Sequence, residues 1–146
     1  MADKNRPQVG LGIIIENEEG KILIGKRKNS LAPFYSIPGG ALELGEDFVA
    51  GAIREIKEET DLDIKNIEVI AVTNNLETFH NEGSHFISIV FLAKDFSGEP
   101  KLMEPEKCEG WLWIDPKNLP MPHFDASQMG IQCYLENRFY IKPSGI

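Results

Sequence analysis

Cysteine is almost missing from this chain: Cys108 and Cys133 are far apart and form no CxxC pair. That excludes a disulfide framework and makes reduced thiols the default, with no chemistry assigned to them. Histidine is nearly as scarce, and His80, His85 and His123 show no metal-ligand spacing, so they read as ordinary loop and strand residues. No apolar run approaches the ~18 residues of a transmembrane helix, and residues 1–7 are polar, unlike a secretory signal. A cytoplasmic protein is the expectation. Positive charge is also short, with 15 Lys and Arg against 23 Asp and Glu, a net charge of −8 and a pI of about 4.9. Such a chain lacks the electrostatics that draw proteins to long RNA, DNA or anionic lipid, although a small anion carried in by a cation remains allowed. Repeats, linkers and low-complexity segments are absent too. The 146 residues therefore make one domain, with residues 1–7 expected to be flexible.

What the chain has in abundance is carboxylate at regular spacing, in Gly40 to Leu62. From Phe48 onward, Phe48, Val49, Ala52, Ile53 and Ile56 recur at three- and four-residue intervals, the repeat of one helical face. On that helix Glu55, Glu58 and Glu59 stand at i, i+3 and i+4 and form one acidic patch. Like charges so placed cost roughly 0.2–0.5 kcal/mol per pair, and the negative end of the helix dipole adds to the penalty. A cation would offset it. Oxygen ligands of this kind suit Mg²⁺ or Mn²⁺, ions that also bind beside phosphates. The alternative is a solvated acidic face, softened by Lys57.

Elsewhere, residues 9–15 and 21–25 read as a hairpin turning at Asn17-Glu18-Glu19-Gly20, followed by a short basic patch, Gly25-Lys26-Arg27-Lys28. Residues 29–37 read as a loop ending in Ile37-Pro38-Gly39-Gly40, whose glycines let the backbone pass close to a ligand. Residues 64–74 and 85–91 are strand candidates separated by a polar loop at 76–84. Residues 107–114 form a further strand, with Trp111 and Trp113 on one face. Three prolines keep residues 115–124 irregular, and residues 126–139 read as a closing helix with Met129, Cys133 and Leu135 partly facing the core. Strands, a crossover helix, more strands and a last helix predict a mixed sheet with helices on its faces, an α/β (α+β) fold.

The spacing of Gly40, five residues, Glu46, seven residues, then Arg54-Glu55-Ile56-Lys57-Glu58-Glu59 resembles the Nudix box. The one departure is Asp61, where the family has a glycine that ends the helix. Asp is among the few residues that also enter the left-handed conformation, so a slightly weaker helix end and an intact metal site are expected. Gly25-Lys26-Arg27-Lys28, Ile37-Pro38-Gly39-Gly40, Val72-Thr73-Asn74-Asn75 and residues 103–111 extend the likeness to MutT-like Nudix nucleoside-triphosphate diphosphatases.

The resemblance implies an α/β/α sandwich, a homodimer, and Mg²⁺-dependent (or Mn²⁺-dependent) hydrolysis of a nucleoside triphosphate to monophosphate and pyrophosphate. It also implies the ligand set, namely Glu55, Glu58, Glu59 and the Gly39 carbonyl, with Glu55 or Glu59 as base. Glu46 is then an outer partner, and Arg54 orients the glutamates through charge-assisted bonds. Arg27 would grip phosphate in a bidentate fork, and Ile37, Gly40 and His85 lie on the substrate side. One of Glu104, Glu106 and Glu109 is a candidate fifth carboxylate. Animal members hold the base with a Trp-Gly pair; here Met129-Gly130 stands in its place, which leaves purine selectivity open. ADP-ribose, nucleotide sugars and prenyl diphosphates are alternative substrates, and a non-catalytic nucleotide-binding module is a third reading.

Overall fold

The computed structural model describes residues 5–28 and 32–144, so parts of the expected flexible start and of the 29–37 loop lie outside the described residues. Strands β1 (Gln8–Ile15), β4 (Gly39–Ala41), β6 (Glu68–Asn75) and β7 (Phe86–Ala93) form a four-stranded sheet in the order β4-β1-β7-β6. In it β1 and β7 run parallel and the outer pairs antiparallel. A second sheet has β2 (Ile22–Arg27) between β3 (Tyr35–Ser36) and β9 (Cys108–Ile114), and β5 (Asp63–Lys65) pairs with β8 (Asp95–Ser97).

Strand side chains alternate between faces, and the core divides accordingly. Leu11, Ile13 and Ile15 of β1 join Leu23 and Phe91 in a cluster under helix α1 (Phe48–Thr60), which contributes Ala52 and Ile56. Ile14, Ile22 and Ile24 point the other way, toward Ile131 and Cys133 of helix α3 (Asp125–Glu136). Strands covered on both faces read as unbroken apolar runs, which is why residues 13–15 are three isoleucines. The result is the mixed-sheet α/β/α sandwich. Trp111 and Trp113 pack on the same cluster as expected. No helix among the described residues is long and apolar enough to cross a membrane.

Four expectations need correction. The turn at residues 17–20 forms, with Asn17 Oδ1 accepting the N–H groups of Glu19 and Lys21 at 3.0 and 2.9 Å. Its strands, however, are not a paired hairpin. After one bridge between Glu16 and Ile22, β1 and β2 enter different sheets, β1 between β4 and β7 and β2 between β3 and β9. Residues 76–84 are not merely a loop but contain helix α2 (Leu76–Glu82), closed by Gly83 at φ 79°. Its first turn is held by a distant residue, Asp125, whose carboxylate accepts the Thr78 N–H at 3.3 Å, a support invisible in local periodicity. The strand at 64–74 is broken into β5 and β6 around Asn66, at φ 55°. Finally, α3 stops at Asn137, at φ 54°, short of residue 139, and leaves Leu135 42% exposed rather than core-facing.

Candidate active site

Asp47 starts α1 by accepting the N–H groups of Val49 and Ala50, at 3.1 and 3.2 Å. Burial of Ala52 and Ile56 then fixes the rotation of the helix, so that Arg54, Glu55, Glu58 and Glu59 flank β4. Gly51 lets the helix come close: a Cβ there would lie 2.8 Å from Leu11 Cδ1 and 2.9 Å from Glu46 Oε1. At the other end Asp61 adopts φ 63°, the left-handed cap anticipated for it. Its carboxylate is also clamped by Lys57 at 3.2 Å and Lys101 at 3.1 Å, so Lys57 turns away from the glutamates.

Arg54 organises the acidic face instead. Its Nε and Nη2 grip Glu46 in a fork at 2.6 and 2.9 Å, while Nη1 donates to Glu55 at 2.9 Å and Glu58 at 3.3 Å. The fork holds the Glu46 carboxyl down at about 2, helped by the Glu43 N–H, and raises Arg54 above its ordinary value. Glu55 and Glu59 are shifted the opposite way. Burial is the main cause for both, and it pushes Glu59 up to about 8 although the Gly39 N–H donates to its Oε1 at 3.0 Å. Glu55 and Glu104 add like charge around Glu59, whereas Arg27 opposes the shift. Glycine at position 40 leaves room for the Glu55 carboxyl, because a Cβ there would clash with Glu55 Cδ and force that group to move.

Two recesses meet beside this face, and Arg27, Ser36 and Ile37 line both. The smaller contains Glu59 and Glu104 together with Trp111, Cys108 and Lys107. The larger is an open, mainly apolar cleft lined by Leu11, Val90, Phe86, Phe124, Ser88 and Ser127. Arg27 Nε is buried without a protein partner at this junction, a donor suited to an anionic oxygen. On the cleft floor the Ser88 hydroxyl donates to Asn75 Oδ1 at 2.7 Å, and Asn75 Nδ2 donates to Thr73 at 3.0 Å. Ser88 therefore presents an acceptor lone pair to the cleft.

The oxygen-only donor set of Glu55, Glu58, Glu59 and Glu104 suits a hard divalent cation, which would offset the cost of keeping Glu55 and Glu59 ionised in a buried setting. Among the described residues, no three acidic, histidine or cysteine side chains already converge as a ligand set. Arg54 engages Glu55 and Glu58, and the Gly39 N–H engages Glu59, so a cation competes with these bonds.

The structure thus brings together Arg27, Ile37, Gly39, Gly40, Glu46, Arg54, Glu55, Glu58 and Glu59. It separates two of the candidate fifth carboxylates: Glu104 lines the Glu59 recess, while Glu109 pairs with Lys26 at 3.6 Å. His85 Nε2 donates to Asn74 Oδ1 at 2.7 Å, and His85 is not among the cleft-lining residues. Nor are Met129 and Gly130; Met129 Sδ lies 3.8 Å from Asn75 Nδ2, and Gly130 is buried against Val90. Phe86, Ser88, Phe124 and Ser127 went unnoticed in the sequence. The alternation of β7, which places Phe86, Ser88 and Val90 on one face, could have pointed to the first two, and no spacing pointed to Phe124 or Ser127.

Sheet, box helix and glutamate face define a class, the hydrolases of phosphoanhydride linkages. Residues 6–130 match the family described as NUDIX domain, and the chain belongs to the Nudix family. It is a MutT-like Nudix pyrophosphohydrolase. Similar proteins include an RNA pyrophosphohydrolase of Pelagibacter ubique, 32% identical over 75% of this chain and 77% of that protein. An ADP-ribose pyrophosphatase of Methanocaldococcus jannaschii is 38% identical over 84% of this chain and 70% of its own length. Among solved structures, a MutT NUDIX hydrolase from Burkholderia pseudomallei superposes with a TM-score of 0.79 at 30% identity, covering 87% of this chain and 97% of that one.

Proposed function

We propose that this enzyme cleaves a nucleoside triphosphate to the monophosphate and pyrophosphate, with water attacking the phosphorus nearest the nucleoside. The observation that carries this reading is the position of Arg27 between the Glu59 recess and a cleft with two phenylalanines. A ligand with an aromatic base at one end and polyphosphate at the other spans both. Phe86 and Phe124 offer faces for stacking, and Ser88 accepts a hydrogen bond from a base N–H or amino group. A purine, oxidised or methylated forms included, is the substrate of choice.

The cofactor is Mg²⁺, or Mn²⁺ in its place, held by Glu55, Glu58, Glu59 and the Gly39 carbonyl; it would neutralise phosphate charge and activate the attacking water. Arg27 holds the polyphosphate through its guanidinium. Glu59 or Glu55 accepts the proton. Arg54 keeps the glutamates oriented from behind. Pairing into a homodimer belongs to the same reading and is checked by sedimentation.

The test is product analysis with Mg²⁺ over normal and oxidised nucleoside triphosphates, ADP-ribose, nucleotide sugars and prenyl diphosphates, run in ¹⁸O water. Pyrophosphate release with ¹⁸O in the monophosphate is the expected result. The likeness to the M. jannaschii protein supports ADP-ribose as a second reading, and turnover confined to it would replace the first. No turnover of any substrate would leave a nucleotide-binding module, against which stand the intact Arg54, Glu55, Glu58 and Glu59.

A further inference from the structure

His123 and Ser127 lie on opposite sides of the start of α3 and are only 5% and 2% exposed. His123 Nδ1 is 3.2 Å from the Pro120 carbonyl oxygen, and Nε2 is 2.7 Å from Ser127 Oγ. A carbonyl only accepts, so Nδ1 carries the proton and, in the neutral ring, Nε2 must accept. The Ser127 hydroxyl then donates to Nε2 and is left with lone pairs. One of these accepts the Ile37 N–H at 3.0 Å. The chain of bonds runs one way only, from Ile37 through Ser127 to His123 and Pro120.

Ile37 begins the short segment on which the glutamate face depends. Its carbonyl accepts from Ser36 Oγ at 2.8 Å, the Pro38 carbonyl accepts the Ile13 N–H at 3.0 Å, and the Gly39 N–H holds Glu59. The segment is thus gripped by α3 at one end and by Glu59 at the other. Around it, Tyr35 N–H donates to Pro122 and Phe124 N–H to Tyr35, at 2.9 and 2.8 Å, which ties residues 120–127 to β3.

We infer that His123 and Ser127 form a positioning pair that sets the Ile37–Pro38–Gly39 segment, and through the Gly39 amide the Glu59 carboxylate, from the opposite wall of the cleft. The catalytic consequence rests on the function proposed above. The positional one does not. Neither residue touches the reacting atoms, and the effect passes through a backbone strap of three residues.

The test combines steady-state kinetics with amide hydrogen exchange on Ser127→Ala, His123→Leu, their double variant and His123→Gln, whose amide oxygen can still accept from Ser127. Each removing variant should lower kcat/KM about tenfold, mostly in kcat, and the double variant should be no worse than either, since both break one unit. His123→Gln should recover most of the loss. In Ser127→Ala the Gly39 amide should exchange at least about tenfold faster while β7 amides stay protected, which separates repositioning from unfolding. Multiplying effects in the double variant, or an unchanged Gly39 amide in both single variants, would overturn the inference. Should the parent hydrolyse nothing, the function fails while the exchange result still decides the positioning role.

Discussion

The glutamate face of α1 and the apolar cleft beside it meet at Arg27 and Ile37, yet they draw on the chain in different ways. The face takes Arg54, Glu55, Glu58 and Glu59 from two turns of one helix, braced by Glu46 just before it. The cleft is gathered from β1, β2, β3, β4, β7 and the start of α3. The first is held by charge and the second mainly by shape. Chemistry conserved across many substrates can live on one helix, whereas selectivity is assembled from loops and strand faces that can change one at a time.

The comparison predicts that damage to the face falls on kcat and damage to the cleft on KM. Glu59→Gln should give the largest effect, a loss of roughly 10²–10⁴ in kcat with nucleotide affinity retained by calorimetry. Hydrolysis at the parental rate by a variant that binds nucleotide would remove Glu59 from the mechanism. Gly40→Ala comes next: its methyl displaces the Glu55 carboxyl, so kcat should fall about 10–100-fold while the thermal midpoint moves little, as the site is at the rim. A large stability loss instead would mean that Gly40 serves the sheet. Phe86→Ala should raise KM about tenfold with kcat within a few-fold, in line with about 1–3 kcal/mol for stacking on a base. An equal fall in kcat would blur the division between the two regions.

The smallest effect expected is on stability against pH. Burial lowers the pKa of His123, so the unfolded chain takes up its proton before the folded one does. The unfolded state then binds more protons, and stability falls as pH drops below the unfolded value of about 6.5. His123→Gln should show a shallower decline between about pH 7 and 5 in chemical denaturation. Parallel curves would mean that His123 protonates equally in both states.

The two regions were also unequally legible. The cap at Asp61 and the roles of Glu46 and Arg54 were legible through the resemblance to the Nudix box, while helix α1 and the patch of Glu55, Glu58 and Glu59 follow from 3.6-residue periodicity and i, i+4 spacing, which are local properties. Sandwich layers were readable from the order of elements for the same reason. What escaped was non-local. The parting of β1 from β2 depends on β7 and β9, and α2 depends on Asp125, some 47 positions away. Phe86 and Ser88 could be placed on a strand but not against Phe124 and Ser127, because no spacing encodes which wall faces which. Met129 was readable as core or, by analogy of position, as part of a base pocket, and its sulfur lies 3.8 Å from Asn75 Nδ2, away from the residues that line the cleft.

The parallel pairing of β1 with β7 also has a bearing on synthesis. Ile13, Ile14 and Ile15 are fully buried, yet the strand that covers them ends at Ala93. At about 5–20 residues per second the ribosome needs several seconds to deliver that partner. For that interval the nascent chain carries an apolar, β-prone segment whose earlier partner, β4, pairs with residues 10–12 and leaves Ile14 and Ile15 beyond its reach, a client for chaperones. The enzyme's core is therefore committed late, by a strand from its second half, and truncation before residue 93 should yield an insoluble product rather than a smaller domain.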